Sequence, residues 1–225
     1  MPDADLAGRT VVVVGAAGAL GAGLVTAFTE AGAAVTGVDK AAPPADRQLD
    51  GVTYQAVNVL DDGALAMLFD QSPPPWAVVN TVGGYVAHAP LTELDPAVLA
   101  GQLELNLVSA ALLTKHALRR MAPAGRGRIV HTAGRAAVAT KGSHFAYSVS
   151  KLGVLHLVSM AADEVRATGI TVNCVVPSII NTPANRTAMP DADHASWPKI
   201  PEVAQAYLFL ASPAAQLVSG AALPV

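Results

Sequence analysis

The sequence predicts one α/β domain, a parallel sheet wrapped by crossover helices. Short β-branched runs alternate along the chain with longer alanine- and leucine-rich stretches of helical character, the pattern left by strand–helix–strand units. Several of those runs are apolar on both faces, as strands covered by helices on both sides are. At 225 residues the chain can bury one sizeable core, and its length demands no second domain.

The elements follow in order. Residues 11–14 are four valines, a strand that runs straight into GAAGALG at 15–21 and a helix over 19–31, with Gly32 at the C′ position. A second strand covers 34–38 and a third 53–57, followed by a helix over 61–69. The triple proline at 73–75 is a stiff connection rather than a domain linker, because strand sequence resumes at 77–80. A long helical stretch over 96–121 leads to a strand at 128–132. A helix over 145–168, with Gly169 at C′, precedes a strand at 170–176. A helix over 201–211 and a strand at 221–223 complete seven strands, and no internal repeat is visible.

Composition narrows the class. The chain is 52% hydrophobic and only 14% charged, against roughly 25% charged in a typical domain, which points to a large core and to buried subunit contacts. A net charge of −3 without a basic cluster offers no footprint for nucleic acid and no patch for anionic lipid. The uncharged stretch 10–29 has the length of a membrane span, but four glycines weaken that reading. The residues before it lack the basic region of a signal peptide, so the protein is expected in the cytoplasm. Cys174 has no partner for a disulfide and lies in the apolar run ITVNCVVP, where it reads as a core residue. The six histidines show no metal-ligand spacing, and no metal is expected.

Chemistry starts at the glycines. Gly15, Gly18 and Gly21 stand three apart where a strand turns into a helix. Such a turn serves either tight packing or the approach of bare backbone to a pyrophosphate, whose charge the helix N-terminus stabilises. The spacing is not G-x-G-x-x-G, so the motif alone decides little. Eighteen residues past Gly21, at the end of the second strand, stands Asp39. A carboxylate there accepts both hydroxyls of an adenosine ribose and repels a 2′-phosphate, which favours NAD over NADP. Lys40 beside it either tolerates a phosphate or is a solvated surface charge.

In YSVSK, Tyr147 and Lys151 are four apart on one face of a helix. A nearby ammonium favours the phenolate and lowers the phenol pKa from about 10, making the tyrosine a proton donor and acceptor near neutrality. Together the glycine turn, Asp39, Asn106 in LELNLVSA, Tyr147, Lys151 and VNCVVP, in this order, resemble the short-chain dehydrogenase/reductase family over essentially the whole chain. The resemblance implies a single-domain Rossmann fold, with a doubly wound seven-stranded parallel sheet flanked by helices. It implies hydride transfer between a nicotinamide cofactor and a carbonyl, hydroxyl or C=N group of a small molecule. Tyr147 is then the acid/base, Lys151 its tuner and the holder of the nicotinamide ribose, and Asn106 holds a water in the proton relay. The implied cofactor bed comprises Gly15, Ala17, Gly18, Ala19, Leu20, Gly21 and Asp39, Asn58 and Val59 beside adenine, and Thr81, Val82 and Gly83 in NTVGG. Tyr147, Lys151 and, in PSIINT, Pro177, Ile179, Ile180 and Thr182 complete it.

Two departures stand out. The family's catalytic serine lies thirteen residues before the tyrosine, and that position here is Gly134. Thr132, Thr140 and Ser143 are the hydroxyls near enough in sequence to replace it. Ala19 stands in place of the second motif glycine. With AGRAA, NTVGGY and NTPANRTAMPDADHASW, these make the chain resemble the dihydropteridine reductase branch, whose quinonoid substrate is already electrophilic and needs less help from a second hydroxyl. An ordinary carbonyl reductase or alcohol dehydrogenase is the second expectation, and a nucleotide sensor without turnover the third. A substrate lid is expected around 182–198, in which Met189 and Trp197 either cover the substrate or pack the lid onto the body. His144 either lines the pocket or is a solvated loop residue. The long apolar helices imply a homodimer or homotetramer.

Overall fold

The computed structural model describes residues 6–86, 90–138 and 144–225. The chain runs β1 (Thr10–Val14), α1 (Ala19–Glu30), β2 (Ala34–Asp39), β3 (Thr53–Ala56), α2 (Asp62–Asp70), β4 (Ala77–Asn80), α3 (Pro96–Leu103), α4 (Ser109–Met121), β5 (Arg126–Thr132), α5 (Phe145–Glu164), β6 (Gly169–Val176), α6 (Pro183–Ala188), α7 (Ile200–Ala211) and β7 (Ala222–Pro224). The strands form one seven-stranded sheet in the order β3-β2-β1-β4-β5-β6-β7, every pair parallel. This is the doubly wound Rossmann arrangement that the sequence predicts.

Alternation along the central strands explains the three layers. Val11 and Val13 of β1, with Ala77 and Val79 of β4, face a core shared with Leu24, Phe28, Val203 and Tyr207 of α1 and α7. Val14 and Val78 face the opposite way into a core with Leu65, Leu113 and Val154 of α2, α4 and α5. Both faces of the sheet are therefore dry, which is why β1 reads as unbroken valine.

Three boundaries differ from expectation. The helical stretch 96–121 is interrupted at Glu104–Val108 by a π-helical turn. The helix expected over 145–168 ends at Glu164, and Gly169 opens β6 instead of closing that helix. Its N–H donates to Gly125 O at 3.1 Å, and a Cβ at Gly169 would collide with that same carbonyl, so contact rather than capping requires the glycine. Gly32, by contrast, has φ +82° just past α1, as a C′ glycine does. Helix α6, absent from the sequence expectation, starts where Thr182 accepts a hydrogen bond from Asn185 N–H. The stretch 96–124 and helix α5 are long and apolar enough to cross a membrane by length and composition alone, yet both pack onto the sheet.

Candidate active site

The chain leaves β1 toward β2 on one side of the sheet, and β4 lies on the other, so the carboxyl ends of β1 and β4 flank the topological switch point where crevices open in such sheets. Gly15 follows β1 with φ +89°, a conformation that disfavours side chains, and a Cβ there would strike the Thr81 hydroxyl. Thr81 itself donates to Val14 O at 2.8 Å, tying the two strand ends together. A Cβ at Gly21 would meet the Gly15 carbonyl, so turn and helix touch backbone to backbone. Helix α1 starts at Gly18 with no side-chain cap, whereas Asp61 caps α2 and Asp95 caps α3. Its first-turn N–H groups, those of Ala19, Leu20 and Gly21, have no partner within the helix. At the end of β2 the Asp39 carboxylate accepts from Ala17 N–H at 2.9 Å and from Lys40 N–H at 2.7 Å. It is thus fixed against the glycine turn, while Lys40 is exposed.

Beyond the switch point a buried polar chain fixes the β4 and β5 ends. Thr114 donates to Ala110 O, so His131 Nε2 must carry the proton in its 2.8 Å bond to Thr114, and His131 Nδ1 accepts from Asn80 at 3.2 Å. Burial pushes the His131 pKa down to about 4, with Lys151 adding to the effect, and the ring is neutral at physiological pH. Asn80 then uses its Oδ1 to accept from Val82 N–H at 3.0 Å, setting the path of 81–84. That path brings Gly83 against Asn106 and Lys151: a Cβ at Gly83 would lie 2.6 Å from Asn106 Oδ1 and 2.7 Å from Lys151 Nζ.

Asn106 sits in the π-helical turn and is almost wholly buried. Its Oδ1 accepts from Gly84 N–H at 3.0 Å, while Nδ2 reaches Gly84 O, Ser150 Oγ and Gln102 Oε1 at 3.0–3.3 Å. The Asn106 side chain thus clamps Gly84 to Ser150 of α5.

Lys151 and Tyr147, one turn apart on α5, both reach the end of β5. Lys151 Nζ donates to Thr132 O at 2.9 Å, and a Cβ at Gly134 would lie 2.7 Å from the Tyr147 hydroxyl. The glycine at the serine position is therefore matched to the tyrosine: the phenol lies in the space that a longer side chain would use. Burial pushes the Lys151 ammonium down to about 8. Burial also raises the Tyr147 phenol above its usual value, and the neighbouring Tyr85 phenol raises it further. The expected lowering by Lys151 is absent because desolvation of a buried phenol outweighs the ammonium, whose bond goes to the Thr132 carbonyl.

Thr132 does not replace the serine. Its hydroxyl donates to Asn80 O and accepts from the buried Tyr207 hydroxyl, both at 2.7 Å. It is turned into the core beneath α7. Thr140 and Ser143 lie outside the described residues.

The remaining expected residues divide. Val59 packs in the core at the foot of α2, and exposed Asn58 turns the chain, its Oδ1 accepting from Leu60 N–H at 3.2 Å. Ile180 is buried with Ala16 and Val203, which leaves its backbone for any ligand, while Ile179 is exposed. The Pro177 carbonyl accepts from Arg135 N–H at 3.1 Å, holding the segment after β6 beside Gly134. Segment 182–198 is closed at its base by Asn181, whose N–H donates to Pro198 O and whose Nδ2 donates to His194 O, both at 2.9 Å. Within it Trp197 packs on His194, ring centroids 4.6 Å apart.

Sequence reasoning missed Tyr85. Its ring meets Tyr147 edge-on at 5.2 Å, and its hydroxyl pairs with His144 Nδ1 at 2.8 Å. The signal was present: an aromatic directly after the NTVGG turn, and a histidine one helical turn ahead of Tyr147.

The family model described as enoyl-(acyl carrier protein) reductase matches residues 15–225. Cis-4-hydroxycyclohexanecarboxylate dehydrogenase of Sinomonas cyclohexanicum is 35% identical, over 96% of this chain and 94% of its own. A short-chain type dehydrogenase/reductase from Mycobacterium ulcerans superposes with TM-score 0.89 at 26% identity, over 98% of this chain and 89% of its own. The chain belongs to the short-chain dehydrogenase/reductase family. As a member it is an NAD(P)-dependent oxidoreductase. Galactitol 2-dehydrogenase of Rhizobium johnstonii is 32% identical to this short-chain dehydrogenase/reductase, covering 98% of the chain and 94% of its own. The dihydropteridine reductase branch expected from the loop after β6 finds no support in these matches, which are to other dehydrogenases.

Proposed function

We propose that this short-chain dehydrogenase/reductase interconverts a secondary alcohol and its carbonyl, with Tyr147 as the acid/base and NAD as the preferred cofactor. The observation that carries the reading is the convergence of the Tyr147 hydroxyl and the buried Lys151 ammonium on 132–134 at the carboxyl end of β5, beside the glycine turn. Relatives named for a hydroxycyclohexane carboxylate and for galactitol support a secondary alcohol on a ring or polyol. Quinonoid dihydropterin is the second reading, favoured by the lack of a hydroxyl at Gly134.

The cradle fits a dinucleotide: Gly15, Gly21 and Gly83 leave no room for a Cβ, and α1 offers an uncapped N-terminus. Gly15, Ala17, Gly18, Ala19, Leu20 and Gly21 would hold the diphosphate and Asp39 the adenosine ribose. Thr81, Val82, Gly83, Pro177, Ile179 and Thr182 would line the nicotinamide half. When bound, the cofactor exchanges a hydride with the substrate carbon. Tyr147 exchanges the matching proton with the substrate oxygen. Lys151, held charged at neutral pH, stabilises the phenolate that results.

The test follows cofactor reduction with NAD and NADP over cyclic secondary alcohols and polyols, and the reverse direction with ketones and quinonoid dihydropterin. Tyr147→Phe is expected to lower kcat by about 10²–10⁴-fold with the KM for cofactor held. Asp39 predicts faster turnover with NAD than with NADP, since its carboxylate repels a 2′-phosphate. Reduction of dihydropterin but not of ketones would select the second reading. We also propose a homodimer or homotetramer in the cytoplasm, with no nucleic acid or membrane partner.

A further inference from the structure

Residues 85 and 144 meet across the mouth of the site from two different elements. Tyr85 follows Gly84, whose N–H and C=O are both held by Asn106. His144 is the N-cap residue of α5, and its carbonyl accepts from Ser148 N–H at 2.8 Å, so its position relative to Tyr147 is set by the helix. Between these two anchors the Tyr85 hydroxyl and His144 Nδ1 are 2.8 Å apart, and the Tyr85 ring stands edge-on to Tyr147 at an interplanar angle of 87°. Tyr85 remains 52% exposed. Among the described residues the alternatives named above are closed: Gly134 has no side chain, and the Thr132 hydroxyl is turned to Asn80 and Tyr207.

We propose that Tyr85, oriented by His144, is a substrate-contacting residue that holds the reacting oxygen of the alcohol or carbonyl together with Tyr147. The inference rests on the alcohol–carbonyl reading above. A neutral imidazole carries its proton on either nitrogen. With Nδ1 bare, the Tyr85 hydroxyl donates to it and is turned from the substrate, because a substrate alcohol has one O–H proton and that proton goes to Tyr147. With Nδ1 protonated, the imidazole donates to the phenol oxygen and the Tyr85 hydroxyl is released to donate to a substrate carbonyl. The pair with Nδ1 protonated therefore donates to a lone pair of the reacting oxygen on either side of the redox couple, without a change of net charge. No covalent step is required of it; it positions the oxygen whose proton Tyr147 exchanges.

The experiment compares Tyr85→Phe, His144→Gln and His144→Ala with the parent and with Tyr147→Phe. It measures kcat and KM for two substrate sets, monofunctional cyclohexanols and polyols, and thermal midpoints throughout. Tyr85→Phe keeps the ring against Tyr147 and removes only the hydroxyl. It is expected to lower kcat about 10–100-fold on both sets, with the cofactor KM and the thermal midpoint unchanged. His144→Ala should fall with it, and His144→Gln, which retains a hydrogen-bonding group, should recover part of the loss. A Tyr85→Phe enzyme within twofold of an active parent overturns the inference and leaves the alcohol–carbonyl reading standing. A loss confined to polyols also overturns it, because the contact would then be to a second oxygen. Absence of turnover by the parent on every substrate overturns both.

Discussion

At Gly134 the missing Cβ matters more than the missing hydroxyl. The Tyr147 phenol lies 2.7 Å from where that Cβ would stand, closer than real side chains approach. Gly134→Ser is therefore expected to displace Tyr147 and lower kcat by more than about tenfold, a misplacement effect, rather than to restore a family serine. Steady-state kinetics decide it, and a rise in kcat would mean that the pocket has room after all. His131 makes a different prediction. Its pKa is about 4 in the fold, against a usual 6.5 in the unfolded chain. The unfolded chain thus binds the extra proton between those values, so stability is full above pH 6.5 and is lost as pH falls toward 4, by at most about 3 kcal/mol. Chemical denaturation of the parent and of His131→Gln across pH 4–7 should show a shallower fall in the variant.

Among the elements, the π-helical turn at Glu104–Val108 is the one that serves the site. An α-helix running unbroken from Pro96 to Met121 would aim residue 106 differently; the extra residue in the turn directs Asn106 at Gly84, Gln102 and Ser150. Asn106→Ala would leave several buried groups unpaired at a cost of about 3 kcal/mol, and the thermal midpoint should fall by roughly 6–12 °C. A midpoint within 2 °C of the parent would show that water replaces the amide. The sequence displays the helix through its apolar periodicity but not the bulge, because one inserted residue leaves composition and pattern almost unchanged. The same holds for α6, a six-residue turn whose cap is legible only once Thr182 and Asn185 are seen to bond.

For the whole molecule, helix α5 presents Phe145, Val149, Leu152 and Met160 as one exposed stripe, with Met160 60% and Leu152 52% exposed. Such a stripe on a chain with 14% charged residues supports the proposed assembly. Size exclusion with light scattering is expected to give a dimer or tetramer, and Leu152→Glu with Met160→Glu to shift it toward monomer. A parent monomer at micromolar concentration would refute the assembly.

By itself the sequence determined the layers: strand valines, helix spacing and glycine punctuation are local signals, and each of the seven strands lies within two residues of its predicted bounds. It also determined the pairing of Tyr147 with Lys151, since four residues on a helix is a fixed geometry. What only the tertiary structure decided was which groups that pair meets. Thr132, the last residue of β5, faces the α7 side of the sheet and not the site; Tyr85 and His144, 59 residues apart, share a hydrogen bond. Electrostatics followed the same rule, because the charge on Lys151 was visible in the sequence but the burial that raises Tyr147 was not. Contacts between distant segments depend on strand order and side-chain direction, which no local pattern encodes.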